Sequence, residues 1–172
     1  MSQPANTLLE EALEAWTYAR EGVIEEAANI GGDSYDWRPH EDARSVRELI
    51  LHIVESGMMM AGELSRPDGD FQRLSFQLLL GEHAAGLPVD AGPAELRDVL
   101  RSSLVEGVAM LRSVGELHML QLIRRFDGNY GTRLAWMHHG VSHEEYHRGQ
   151  LAMYARAMGL VPALTQLIHG GG

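Results

Sequence analysis

The stretch from Ser45 to Val54 reads Ser-Val-Arg-Glu-Leu-Ile-Leu-His-Ile-Val, and it carries the strongest start signal for a helix in this chain. Ser45 followed three residues later by Glu48 is a capping box, in which the two side chains satisfy amide donors left free at a helix start. The apolar pattern continues to about Leu64, and a Pro-Asp-Gly sequence after Arg66 then breaks it. We therefore predict a helix from Ser45 to about Leu64.

Three other long segments have the period of an amphipathic helix. The first runs from about Thr7 to Ile30 and ends at a pair of glycines. The next has Pro93 in its first turn, where a missing amide costs nothing, and runs to about Leu120. The last is capped by Thr132 and ends near Met158, with Gly159 just behind it.

The connections between these helices are less regular. We predict a shorter helix from about Phe71 to His83 and a turn with some extended character from Phe126 to Gly131. Gly107 and Gly115 lie inside the third long helix, where glycine is unfavourable, so we expect them to mark close contacts between helices. The tail, residues 163–172, could be partly ordered.

Four amphipathic helices within 172 residues predict an all-α protein, a four-helix bundle in one domain spanning residues 1–172. We expect the helices to be antiparallel. One long connection, between the second and third long helices, carries the short extra helix. Hydrophobic residues make up 45% of the chain, which is typical of a folded domain.

Composition excludes several classes of function. The formal net charge is −10 and no basic stripe is present, so we expect no binding to nucleic acid. No apolar run is long enough to span a membrane, and residues 1–5 do not resemble a signal peptide. Cysteine is absent, which fits a cytoplasmic protein and removes thiolate ligands and a cysteine nucleophile.

Histidines are the unusual feature of the chain. His143 and His147 are four residues apart on the last long helix, so their side chains lie on one face, with Cβ atoms about 5–6 Å apart. This pair alone is a weak sign of a metal site. His139 extends the stripe by one turn, and His52 lies among aliphatic residues on a helix that could face it. Because bundles build metal sites from facing helices, we predict a site formed by His52, His143 and His147.

Other residues have more than one interpretation. His139 could be a rival fourth ligand, a partner of a ligand or part of a pocket wall. Glu55, three residues after His52, is a candidate general base or a solvated carboxylate. Gln150 could orient a ligand or simply pack between helices. Arg148 could contact an anionic substrate or lie exposed.

Glu144 points about 100° away from His143, so we place it beside a ligand or on the surface. Met58, Met59 and Met60 point in different directions and cannot converge on one ion, so we interpret them as packing residues of the core or of a dimer interface. The remaining histidines have no convergent partners in the sequence and are predicted to lie on the surface: His40, His83, His118, His138 and His169.

Four segments in this order resemble the DinB/YfiT superfamily, whose members are regarded as metalloenzymes. They are Tyr35–Pro39, Ser45–His52, His143–Leu151 and Tyr154–Gly159, and the His-x-x-x-His-Arg-Gly-Gln sequence within the third is the most specific. The resemblance implies a four-helix bundle in which His52, His143 and His147 bind a divalent metal, nickel or zinc in many relatives. It also implies a homodimer.

Some members of that superfamily use a low-molecular-weight thiol such as bacillithiol or mycothiol, and others are described as hydrolases. Three protein ligands leave a coordination position open, as in catalytic zinc sites, and a water or thiol there becomes a nucleophile near neutral pH. Three imidazoles also accept iron or copper. We therefore predict a metal-dependent hydrolase or thiol S-transferase that acts on a small molecule. The alternative is a non-catalytic, stress-related protein that binds metal or dimerises.

Overall fold

The computed structural model describes residues 7–170, and four long helices make up most of them. In chain order the elements are α1 (Leu8–Ile30), a 3-10 turn (Gly32–Ser34), α2 (Val46–Ser65), α3 (Phe76–His83), α4 (Pro93–Met119), β1 (Leu122–Arg124), β2 (Tyr130–Thr132), α5 (Arg133–Ala157) and α6 (Ala163–Gly170). The predicted all-α class and the four long helices are confirmed. The tail forms α6 as far as residue 170, and residues 171–172 lie outside the described part of the chain.

The helix starts follow the capping signals of the sequence. Ser45 accepts a hydrogen bond from the Glu48 amide, and the Glu48 side chain accepts one from the Ser45 amide, which completes the capping box of α2. Thr7 and Thr132 cap α1 and α5 in the same way through their side-chain oxygens. Pro93 occupies the first turn of α4, as predicted.

Three connections differ from the prediction. α3 begins at Phe76 rather than near Phe71, because the buried Phe71 donates its amide to the Arg124 carbonyl, at 2.9 Å, and Ser75 caps the helix. The predicted turn after α4 belongs to a hairpin in which β1 pairs antiparallel with β2. Gly115 has a φ of 78° and kinks α4, so the prediction of a helix contact there was wrong. Gly107 does make one, because a Cβ there would collide with Trp16.

Helix directions follow from the residues that touch. On α2 and α5 the contacts run in opposite order, from His52 with His143 to Leu64 with Arg133, so these helices are antiparallel. α1 and α4 are also antiparallel, since Glu10 contacts Arg112 while Arg20 contacts Leu100.

The other two neighbouring pairs are parallel, which the prediction of an antiparallel bundle missed. α1 and α5 run the same way, and so do α2 and α4. The physical reason is the long connection after α2. It carries the chain back to the start of that helix, where the Arg47 guanidinium donates to the Ala91 carbonyl just before α4 begins.

The buried apolar residues form two clusters, one at each end of the bundle. Trp16, Met60 and Phe71 belong to the first cluster, while Val23 and Leu49 belong to the second. Most of the stabilisation of such a bundle comes from burying these apolar faces. None of the helices described between residues 7 and 170 combines the length and apolar character that crossing a membrane requires.

Candidate metal centre

A layer of polar side chains separates the two apolar clusters. On α1, Arg20 lies between Trp16 and Val23, and it is completely buried. Its guanidinium donates to both carboxylate oxygens of Glu144 on α5, at 2.8 and 2.6 Å, and to Ser103 on α4 at 2.8 Å. Glu144 directly follows His143 in the chain, so this ion pair anchors the helix turn that presents the histidines.

The histidines of α2 and α5 meet at the same level of the bundle. The Nε2 atom of His143 lies 3.2 Å from that of His52 and 3.0 Å from that of His147. All three ligand atoms lie within 4.8 Å of one another. Nitrogens bound to one tetrahedral ion about 2.0–2.1 Å away are roughly 3.3–3.4 Å apart, so the donor set and its spacing fit a divalent metal. These three residues could therefore hold a metal ion.

Gln150 holds the ring of His147 in place. The Nδ1 atom of His147 lies 2.7 Å from the Gln150 amide oxygen, and the Gln150 amide nitrogen donates to the Tyr146 hydroxyl at 3.3 Å. Because an amide oxygen can only accept, His147 carries its proton on Nδ1. The lone pair of Nε2 is then free to bind a metal, which is the usual role of a hydrogen bond on the far side of a ligand histidine.

The surroundings of the three histidines favour neutral imidazoles. Burial lowers the pKa of His52 to about 4 and that of His143 to about 4, and neighbouring positive charges add to the effect. Burial also lowers the pKa of His147, although the hydrogen bond to Gln150 opposes that shift. Metal binding requires neutral imidazole, so the site is ready to bind a cation near neutral pH without first losing protons.

These pKa shifts predict how the stability of the metal-free protein depends on pH. In the unfolded chain a histidine takes up a proton below about pH 6.5, whereas His52 and His143 stay neutral in the folded protein down to about pH 4. The unfolded state then binds more protons, so stability falls as the pH is lowered between these values. We expect the melting temperature, measured with a chelator present, to drop from about pH 7 to about pH 5.

The control for this prediction is a histidine elsewhere on the same helix. His143→Asn removes one of the two groups with a strongly lowered pKa, so its melting temperature should depend less steeply on pH. His138→Asn, an exposed position on α5, should keep the wild-type slope. A slope in His143→Asn as steep as that of the wild type would contradict the assignment.

Arg44 is a residue of the site that sequence analysis missed. Its positive charge contributes to the lowered pKa of all three histidines, after the larger effect of burial. The Tyr154 hydroxyl on α5 donates to the Arg44 carbonyl at 3.1 Å, which ties this segment to the helix of the histidines. Together with Gln150 these two residues line an open groove beside the site. Arg44 lies in a loop without periodicity, so no sequence signal could have found it.

The other predicted site residues are more scattered. Glu55 is half-buried on α2, and within the described residues its carboxylate makes no hydrogen bond or ion pair. Arg148 is buried against α1 over the Tyr18 ring, so the prediction of an exposed position was wrong, and its side chain faces away from the histidines. Glu144 is buried in the ion pair with Arg20 instead of lying on the surface. His139 is exposed, stacks on Trp136 with 4.5 Å between ring centroids, and lines the cavity beside His143. Its interpretation as part of a pocket wall therefore holds, and it does not join the three-histidine group.

Two of the histidines predicted to be on the surface are in fact half-buried. His83 lies 2.6 Å from the carboxylate of the buried Glu63, and His118 lies 2.9 Å from the Leu64 carbonyl. The group formed by Glu63, Glu82 and His83 has metal-binding residue types, but the Arg73 guanidinium already forms ion pairs with both carboxylates.

The remaining surface predictions hold, since three histidines are exposed: His40, His138 and His169. Met58, Met59 and Met60 are all buried in the bundle. Their place is therefore the core of the chain rather than a dimer interface.

The fold and the site together define a helical bundle with a three-histidine group that could bind metal. The chain matches the DinB superfamily over residues 15–151, and it therefore belongs to that superfamily. The resemblance inferred from the histidine segments is thus confirmed. No curated protein matches the chain.

Two solved structures from Bacillus subtilis share the fold. A DinB-like protein, YjoA, is 24% identical, with a TM-score of 0.65 over 87% of this chain and 92% of its own. YfiT is 14% identical, with a TM-score of 0.68 over 93% of this chain and 94% of its own. YfiT is described as a probable metal-dependent hydrolase with an unusual four-helix bundle topology. At these identities the similarity supports the four-helix bundle and nothing finer.

Proposed function

We propose that this protein is a divalent-metal-dependent enzyme, a hydrolase or a low-molecular-weight-thiol S-transferase, that acts on a small electrophile. The observation that carries the proposal is the convergence of three neutral imidazole nitrogens from α2 and α5. His52 and His143 are only half-buried, so the group is reachable from outside. Catalytic metal sites have this combination of three protein ligands and an accessible remaining position.

A bound divalent ion would supply Lewis acidity and lower the pKa of a water or a thiol. His52, His143 and His147 would hold the ion, and Gln150 keeps His147 oriented. The chain contains no cysteine, so a reacting sulfur has to come from a cofactor or substrate. Glu55 is the candidate general base. Its half-buried carboxylate on α2 lies three residues from His52.

We assign recognition of negative charge to Arg44. This guanidinium is close enough to the three histidines to lower the pKa of each, and the residue is exposed to solvent. A thiolate or a carboxylate that approaches the metal would gain from that charge. Arg44 therefore replaces Arg148, which faces α1, as the proposed contact for an anionic cofactor or substrate.

The test is an activity assay on protein purified without an affinity tag. Nickel, zinc or iron would be added in turn, and a panel of thiols (bacillithiol, mycothiol, glutathione and coenzyme A) would be combined with chlorodinitrobenzene. A parallel assay would follow hydrolysis of nitrophenyl esters. We expect metal-dependent turnover that a chelator abolishes and that His147→Ala lacks, while His169→Ala retains it.

Turnover that is equal in wild type, His147→Ala and chelator-treated protein would contradict the proposal. Metal binding without turnover would favour the second candidate, a non-catalytic protein that binds metal or dimerises. Among residues 7–170 the Glu55 carboxylate has no hydrogen-bonded partner, which favours that candidate because a general base is usually positioned by its neighbours.

The identity of the metal, homodimerisation and a cytoplasmic location remain predictions. Metal analysis of the purified protein would identify the ion, and light scattering would give the oligomeric state. The absence of nucleic-acid binding also stays a prediction, which rests on the net charge of −10. We therefore keep a small molecule as the proposed ligand.

A further inference from the structure

A cavity of about 200 Å³ lies directly beside His143, between α2 and α5. It is a continuation of the histidine site rather than a separate surface. On α2, His52 and Ser56 are one helical turn apart, and Met60 follows after another turn, so the same face passes from the histidines into the cavity. On the antiparallel α5 the corresponding face passes from His143 to Trp136.

The walls of this cavity are mainly aromatic and thioether groups. Phe126 stands 5.7 Å from Phe76 and 5.9 Å from Trp136 between ring centroids, so three rings border the space in tilted or edge-on arrangements. Aromatic rings favour a further ring in such an arrangement. Met60 packs against the backbone of Gly140, where a Cβ would collide with its sulfur, and Met side chains adapt readily to a ligand.

One buried polar group in the lining of the cavity has no hydrogen-bond partner among the described residues. The Ser56 hydroxyl is buried and makes no hydrogen bond to any of the residues 7–170 that the structure describes. A buried hydroxyl without a partner is uncommon, because leaving it unsatisfied costs about 1–3 kcal/mol. A ligand in the cavity with one hydrogen-bonding group would satisfy it once the Ser56 side chain rotates toward the cavity.

From these features we propose that the cavity binds a single-ring aromatic portion of the substrate, with a polar substituent that hydrogen-bonds to Ser56. An apolar cavity of about 150 Å³ can hold one benzene molecule, so this slightly larger space suits one ring with a small substituent. A ligand seated there places its substituent next to His143. A role of this placement in catalysis rests on the proposed function, whereas binding of the aromatic ring needs no metal.

The experiment titrates benzyl alcohol and toluene into the metal-free, full-length protein, with the Met60 methyl and the Trp136 indole observed by NMR. We expect both signals to shift and benzyl alcohol to bind about tenfold more tightly than toluene, the value of one hydrogen bond. Ser56→Ala should abolish that preference while both ligands still bind. Ser56→Leu should fill the cavity and prevent both from binding.

Ser102→Leu, an exposed serine on α4, is the matched control and should bind both ligands as the wild type does. Absence of shifts at Met60 and Trp136 in the wild type, or an unchanged preference in Ser56→Ala, would overturn the proposal. If Ser56→Leu melts far below the wild type, its loss of binding is not informative. The preference for benzyl alcohol over toluene, compared between wild type and Ser56→Ala, still tests the proposal. Because no metal is present, these outcomes are independent of whether the protein proves to be a metalloenzyme.

Discussion

Replacing Glu144 with alanine is expected to lower the free energy of unfolding by about 3–5 kcal/mol, because it leaves Arg20 charged and buried without a partner. Both side chains are almost completely inaccessible to water, and Glu144 also accepts the Trp16 indole N–H at 2.5 Å. Removing the carboxylate therefore leaves three buried N–H donors, two of Arg20 and one of Trp16, without an acceptor. Urea unfolding of metal-free protein would measure the loss.

Glu145→Ala is the matched control for this result. Glu145 is the next residue on α5, is partly exposed, and contacts Arg148 only at 3.4 Å. Such a pair contributes about 0–1 kcal/mol, so the variant should be nearly as stable as the wild type. Equal stability of Glu144→Ala and Glu145→Ala would contradict the buried ion pair.

A double variant separates the ion pair from simple loss of packing. Arg20→Met combined with Glu144→Leu removes both charges and keeps similar volumes, and such replacements of buried pairs are often neutral or stabilising. We expect it to recover much of the stability that Glu144→Ala loses. The unpaired Trp16 indole N–H would keep it below the wild type.

The second large effect is expected at the histidines. His147→Ala should abolish measurable binding of nickel or zinc in calorimetric titrations, because two imidazoles on different helices do not replace a three-ligand set. His138→Ala, an exposed histidine on the same helix, and His169→Ala, an exposed histidine on α6, should bind metal as the wild type does. Equal affinities in all three variants would refute the assignment of the ligands.

Gln150→Ala should fall between these extremes. The amide oxygen of Gln150 orients His147 without touching the metal position. Removing such a partner of a ligand typically lowers metal affinity about 10–100-fold. The same titration would detect this loss, and an unchanged affinity would mean that Gln150 serves only to pack α5.

Predictions from sequence were most reliable where the signal lies within one or two helical turns. The capping box of Ser45 and Glu48 and the proline at the start of α4 could both be predicted, since the groups involved are neighbours in the chain. The spacing of His143 and His147 was readable for the same reason, because residues four apart on a helix share a face. The start of α3 was not, because it depends on a hydrogen bond from Phe71 to Arg124.

The burial of charged residues, by contrast, could not be predicted from the sequence. Arg20, Glu144 and Arg148 look like ordinary surface residues of amphipathic helices, yet all three are buried. Whether a charged side chain is paired inside the protein depends on what the neighbouring helix offers at that level. That information is absent from the periodicity of any single helix.

The sequence by itself determined the four long helices, the spacing of the two histidines on α5 and the position of His52 among aliphatic residues on α2. Only the tertiary structure decided which helices are neighbours and in which direction they run. That arrangement brings His52 to the two histidines, buries the ion pair of Arg20 and Glu144 beside them and places Arg44 at the edge of the site. Helix propensity and capping act between residues close in the chain, whereas these contacts join side chains that only packing brings together.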